Sequence, residues 1–458
     1  MRDIVLFVII AASLPVALVQ PYLGVLIYSW ISYMNPHRLT YGFMQDFPVA
    51  IGVAVATSIG WLLTKDRKSV PMTGTTWLLI IFTLWCSFTT IFALMPDPAQ
   101  AKWIQFLKIM FMTFLTLSLM RTRERMQLLI WTICVSLGFY SIKSGIFVLL
   151  TGGSSTVWGP DKSMIGDNNA FALAILMTIP LMRYLHLTTT HKWLRLGLAG
   201  AMGLSVVSVL GSYSRGALLG LMVLAVYFWL KSPRKVAIGI VGAIVLVGAI
   251  SFMPEKWTDR MNTIETYQTD ESAQGRFDAW TYAYKVALMR PITAGGFNAF
   301  TDDELFMRMV PTAVKARAAH SIYFEVLGEH GFIGLFMFLA IGFATFRNGQ
   351  WIRRAVRKRP DLERAKHLGA MVQVSLAAYA TSGAFLNMAF FDLFWHLVAI
   401  AIINRWLTER ELAGEPKTEP VPATASLLPA RSRRPEPAYA PVSFLRARGE
   451  RKAKTLTS

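Results

Sequence analysis

The sequence predicts an all-α fold, a polytopic transmembrane bundle of about twelve helices, and three observations predict it. Apolar residues make up 54% of the 458 positions and charged residues only 16%, against about 25% charged in an average soluble domain. The apolar residues gather in runs close to the roughly 20 residues that a helix needs to cross a bilayer. The basic residues fall in clusters between those runs, which is an orientation signal of membrane proteins. Composition therefore argues against a string of soluble domains. The net charge of +19 is spread in the manner of a membrane protein, so nucleic acid is not an expected partner.

The runs follow in order. The first, 4–33, has room for two short helices or for one span with a re-entrant piece. It begins like a signal peptide, but no small-residue cleavage site leads into a soluble domain, so it reads as a retained anchor. Runs 47–63, 77–94, 103–120 and 127–150 complete an N-terminal transmembrane region, 1–150. Runs 170–186, 194–212, 216–231, 236–253, 331–347, 369–387 and 389–406 form a second region, 151–412, interrupted between the ninth and tenth spans by a long segment, 254–330. From 413 to 458 the chain is rich in Pro, Ala, Arg and Lys without periodic apolar residues, and reads as a disordered tail. Its basic residues suit contact with anionic lipid. Cys86 and Cys134 lie inside apolar runs, which implies neither a disulfide framework nor a metal cluster.

Two alternating sets of connections carry very different charge. One set, from Lys65 to the tail, holds 31 Lys and Arg; the short connections of the other hold Arg38, Lys102, Lys162 and Arg215. The positive-inside rule places the first set and the C-terminus in the cytoplasm and the second outside. Segment 254–330 then lies outside as well.

Ionisable residues at span ends on one face are the informative ones, because charge in the bilayer is costly. Arg215, in Gly211-Ser212-Tyr213-Ser214-Arg215-Gly216-Ala217, sits where a tight turn returns the chain to the membrane. A guanidinium there can bind phosphate bidentately or snorkel to the interface. Arg276 opens an amphipathic stretch with Trp280, Tyr284 and Leu288 at helical spacing. It is either a ligand for an anion or a solvated charge on an interfacial helix. His320 stands where a helix begins to enter the membrane, with Tyr323 and Leu327 on one face. It can serve as a base near neutral pH or as a structural residue. Glu325 and Glu329 form an i, i+4 pair nearby, and Glu329 suits a cap or an inter-helix hydrogen bond. Asp167, Asn168 and Asn169 precede the span at 170, where they could bind sugar hydroxyls or cap the helix. Lys143, Asp392 and His396 lie toward the outer ends of their spans without an assigned role. Asp302, Asp303 and Glu304 read as a solvated loop.

Together, Ser-Arg-Gly-Ala at 214–217, Gly-Arg at 275–276 and His-Ser-x-Tyr-x-x-x-Leu-Gly-Glu-x-Gly-x-x-Gly-Leu at 320–335 resemble the O-antigen ligase/polymerase superfamily, over about 200–400. The N-terminal third, with Met1-Arg2-Asp3-Ile4-Val5 and Ser32-Tyr33-Met34-Asn35-Pro36-His37-Arg38, resembles the O-glycosylation ligases associated with exosortase systems. The resemblance implies a glycosyltransferase of the GT-C type in a bacterial inner membrane, its site facing the periplasm. It implies a polyprenyl-diphosphate-linked glycan as donor, a hydroxyl of protein, lipid or polysaccharide as acceptor, and neither a nucleotide sugar, a metal nor another cofactor. The roles that follow are Arg215 and Arg276 on the diphosphate, His320 on the acceptor hydroxyl, and Tyr323, Asp167, Asn168 and Asn169 around the sugar. A polymerase of lipid-linked repeats would use the same chemistry with another acceptor. A transporter or flippase, or a scaffold subunit, shares the many-span architecture. Transporters, however, often show inverted repeats meeting at the midplane, and here the candidates collect at one face.

Overall fold

In a computed structural model, the described residues are 1–65, 69–231, isolated positions between 235 and 257, and 271–415. Most of the run 236–253 and nearly all of the tail therefore lie outside them. Fourteen α-helices occur among the described residues: α1 (Arg2–Val19), α2 (Pro21–Met34), α3 (Val49–Leu63), α4 (Gly74–Ile91), α5 (Pro96–Leu119), α6 (Arg123–Leu150), α7 (Asn168–Thr188), α8 (Lys192–Gly211), α9 (Arg215–Lys231), α10 (Glu271–Met289), α11 (Asp303–Met309), α12 (Ile322–Ala355), α13 (Glu363–Gly383) and α14 (Asp392–Leu412). No strand occurs among the described residues.

The first apolar run divides into two helices, α1 and α2. Pro21 forces the break: the residue before a proline is driven out of the helical region, and Gln20 has φ −128° and ψ 80°. Pro21 then starts α2 without losing a needed donor. The hairpin closes on small residues. A Cβ on Gly24 would come within 2.2 Å of the Thr57 hydroxyl, and one on Gly60 within 2.5 Å of the Leu18 carbonyl. Such close backbone approach is how helices associate in lipid, where burial of apolar surface contributes little.

Among the described residues, seven helices are long and apolar enough to cross a bilayer: α1, α4, α5, α6, α7, α8 and α12. Helices α2, α3 and α9 are shorter, at 14, 15 and 17 residues. Helices α13 and α14 have 21 residues each but include buried polar groups such as Gln373, His396 and Asn404. Central helices can carry such groups because protein, not lipid, surrounds them. Helices α7 and α14 are enclosed along most of their length, whereas α1 is largely open on its outer side.

Hydrogen bonds between connections define the two ends of the bundle. At one end the Asp3 carboxylate accepts from the Gly42 and Met44 amides, Leu94 N–H bonds Gly295, and Asn168 bonds the Ser212 carbonyl. At the other end, Arg123 binds Glu411, Asn404 and Thr408, and Arg353 binds Gln373.

The described part of the long segment, from 271 on, is folded against the bundle. Its helix α10 buries Ala279, Tyr282, Ala283 and Val286 with Phe300 and Phe306. Of the amphipathic stripe, Trp280 packs on Phe324, whereas Tyr284 and Leu288 are exposed on the side away from that cluster. Asp302 and Asp303 are also not a plain solvated loop. Asp302 caps α11 through the Leu305 amide, and Asp303 accepts from the Ala316 amide.

Helix α12 is broken at Gly331 (φ 71°, ψ −171°), so the expected span 331–347 is the second limb of a longer element. Its first limb, from Ile322, packs on α10. Gly331 sits 3.1 Å, at an ideal Cβ, from the Pro291 carbonyl, and its backbone region is essentially restricted to glycine.

Candidate functional site

His320 lies just before α12 in a left-handed backbone conformation, φ 45°. It therefore does not share a helical face with Tyr323 and Leu327 as the periodicity suggested, because the helix begins two residues later, at Ile322. Trp280 holds this conformation from α10. Its indole N–H donates to the Ala319 carbonyl at 2.8 Å, and its ring stacks on Phe324 at 4.9 Å and 9°. Arg276 is one turn before Trp280 on α10, so the same anchor delivers Arg276 to His320. Burial, then Arg276, lower the His320 pKa from its ordinary value; Arg317 acts in the same sense, and Asp167 and Glu325 oppose it. An unprotonated imidazole is the form that can take a proton from a hydroxyl.

Arg317 was legible in the sequence only as part of a charge count. A Cβ on Gly275 would lie 2.4 Å from its Cδ and 2.7 Å from its Nε, so the absence of a side chain at 275 is what lets this arginine lie across α10 beside Arg276. Among the described residues Arg317 has neither an ion pair nor a hydrogen bond. The Gly-Arg pair at 275–276 therefore places two guanidinium groups near enough to the imidazole to lower its pKa.

Arg215 is the first residue of α9. The preceding turn is rigid: Tyr213 is left-handed at φ 57°, its hydroxyl donates to the Gly153 carbonyl, and Ser214 accepts from the Ala217 amide. Asn168 ties the turn to α7 by donating to the Ser212 carbonyl at 2.7 Å. Asp167, one residue earlier, acts on His320. Arg215 is thus joined to the His320 neighbourhood through the start of α7.

Asp167 caps α7 through the Asn169 and Ala170 amides. Asn168 has both ends of its amide engaged, receiving a bond from Asn169 as well. The Tyr323 hydroxyl donates to the Ala380 carbonyl at 2.8 Å, tying α12 to α13. These contacts make Asn168 and Tyr323 ties in the frame, a role that residue types alone did not distinguish from sugar contact. Lys143 is exposed on the flank of α6.

Behind His320, Lys102 of α5 bonds Glu325 at 2.8 Å and Glu329 at 2.7 Å. Glu329 also accepts from the Asn298 amide, which bears out its reading as an inter-element hydrogen-bond acceptor, and Glu325 from the Ala389 amide. His330 bonds Thr89, and its carbonyl accepts from Trp85. This cluster fixes the first limb of α12, and hence His320, against α4, α5 and the turn before α14. Among the described residues no three His, Cys, Asp or Glu side chains group as metal ligands.

A helical membrane protein with two guanidinium groups and an imidazole gathered at one end is fitted to hold an anionic group and move a proton beside it. Residues 200–339, which contain Arg215, Arg276, Arg317 and His320, match the O-antigen ligase family. The chain thus carries the domain of the O-antigen ligase/polymerase superfamily. Residues 1–190 match DUF5935, a family of unknown function. No curated protein matches the chain.

Proposed function

We propose that the protein is a metal-independent, inverting glycosyltransferase that moves a glycan from a polyprenyl-diphosphate carrier to an acceptor hydroxyl. The observation that carries this reading is the grouping of Arg276, Arg317 and His320 within the O-antigen ligase match. The carrier lipid lies along the helices and its diphosphate reaches the His320 end. The excess of basic residues in the opposite connections supports an orientation with that end on the outer face and the C-terminus in the cytoplasm, and the superfamily resemblance supports the inner membrane of a bacterium.

In this mechanism Arg276 and Arg317, with Arg215 across the α8–α9 turn, bind the diphosphate. They stabilise the charge that grows on it as the anomeric C–O bond breaks. His320 takes the proton of the acceptor hydroxyl while that oxygen bonds the anomeric carbon from the opposite side. One in-line displacement inverts the configuration. Asp167 and Asn169 border the sugar; Asn168 and Tyr323 hold the frame. The acceptor hydroxyl belongs to protein, lipid or polysaccharide, and the N-terminal resemblance favours protein O-glycosylation of the exosortase-associated kind.

The test is glycan transfer in membranes carrying matched amounts of wild-type protein or His320→Ala. Loss of a general base is expected to slow transfer about 10²–10⁴-fold. Transfer at the wild-type rate by the variant would refute the assignment.

A further inference from the structure

We propose that the groove between α2, α5 and the start of α14 is a carbohydrate subsite, in which hydroxyl groups of a glycan chain donate to Asp392 and Asn387. Two cavities of about 200 Å³ each meet here, sharing Gln105, Ile109 and Met164 as walls. Together they reach the lower part of the roughly 300–1,000 Å³ range of small-molecule sites. The first is lined by Ser32, Tyr33, His37, Lys108 and Asp392 among others. The second is lined by Lys102, Glu325, Asn387 and Phe390. Glu325 also acts on His320, so the groove starts beside the candidate catalytic centre and leads away from it toward α2.

The chemistry of the walls selects the ligand. Asp392 is 7% exposed. Ser32 donates to one of its oxygens, and the other, Oδ1, is buried without a partner. Asn387 Oδ1 and His37 Nδ1 are likewise buried and unmatched. A buried acceptor left unmatched costs about as much as a lost hydrogen bond, so a ligand that brings donors to the two oxygens is favoured. An anion could approach Lys108 on the same wall, but it brings only acceptors, meets the Asp392 carboxylate and leaves both oxygens unmatched. The nearby ammonium of Lys102 already serves two carboxylates, and Glu325 has both oxygens engaged. A polyol supplies the donors, and its apolar ring faces suit the aromatic walls given by Tyr28, Tyr33, Phe106 and Phe390. A sugar chain combines both properties. That this glycan is a substrate rests on the glycosyltransferase reading; the match of the walls to a polyol does not.

The experiment uses the purified full-length protein in detergent. The first probe is the glycan released by mild acid from the polyprenyl-diphosphate pool of the cells that make the protein, followed by saturation-transfer NMR. The second is a set of fragments of their finished surface polysaccharide. Saturable binding of the first alone assigns the groove to the donor, and of the second alone to the acceptor; either supports the subsite. Asp392→Asn turns an acceptor into a donor and is expected to weaken binding roughly tenfold or more. Gln105→Trp enters the groove from an exposed wall position and is expected to abolish binding, so the test survives if Asp392→Asn fails to fold. Wild-type protein that binds neither probe, or variants that bind as wild type does, would overturn the subsite. Decaprenyl diphosphate without sugar separates the two proposals. Both groove variants are expected to bind it normally, and Arg276→Ala to lose it. Retained binding by Arg276→Ala would count against the transferase reading and leave the subsite standing.

Discussion

Replacing Lys102 by Met tests how the candidate site is held. The ammonium lies 2.8 Å from Glu325 and 2.7 Å from Glu329, whose side chains are 6% and 1% exposed. Methionine fills a similar volume but leaves two carboxylates one helical turn apart with nothing to oppose their repulsion. Removing one partner of a buried ion pair costs about 3–5 kcal/mol, and the like-charge i, i+4 pair adds a few tenths. Spread over a protein of this size, a loss of that order lowers the melting temperature by about 5 °C. The assay is thermal unfolding of the purified protein in detergent. The triple variant Lys102→Met, Glu325→Gln, Glu329→Gln removes all three charges while the Gln oxygens still accept from Ala389 and Asn298. It is expected to recover most of the loss, because an uncharged replacement of a buried ion pair is often neutral. A single variant that melts within about 1 °C of wild type, or a triple variant no more stable than the single, would refute the reasoning.

Other outcomes follow from the same geometry. Arg276→Ala is expected to slow glycan transfer by roughly 10²–10³, the usual loss when one donor to a developing anion is removed, and Arg215→Ala is expected to act in the same direction; steady-state transfer with matched expression measures both. Arg317→Ala removes a charge that holds the His320 pKa down. The neutral base then appears only at higher pH, so the acid limb of the transfer profile should move upward, and an unmoved limb would count against contact between the two groups. Gly331→Ala forces a Cβ into a glycine-only backbone region 3.1 Å from the Pro291 carbonyl, at an expected cost of about 1–3 kcal/mol in a melting experiment.

Much of this protein was legible in one dimension. Runs of apolar residues near the bilayer length name the helices and their order, because in lipid every backbone group must be satisfied within its own segment. The motifs around Arg215, Arg276 and His320 pointed to the superfamily whose domain matches 200–339. Pro21 marks the break between α1 and α2 even within an unbroken apolar run, since a local steric rule acts there.

What the tertiary structure alone decided concerns side chains whose role depends on distant partners. Lys102 reads as a lone basic residue in a short connection until α12 brings two carboxylates to it. Arg317 reads as one of the eight Lys and Arg in segment 254–330 until Gly275 leaves space for its side chain across α10. Tyr323 and Asn168 look like substrate contacts by type, yet their polar groups are engaged with Ala380 and Ser212. Local pattern encodes length, hydropathy and turns because those act between near neighbours in the chain. Which charges meet depends on how helices far apart in sequence pack, and no periodicity records that.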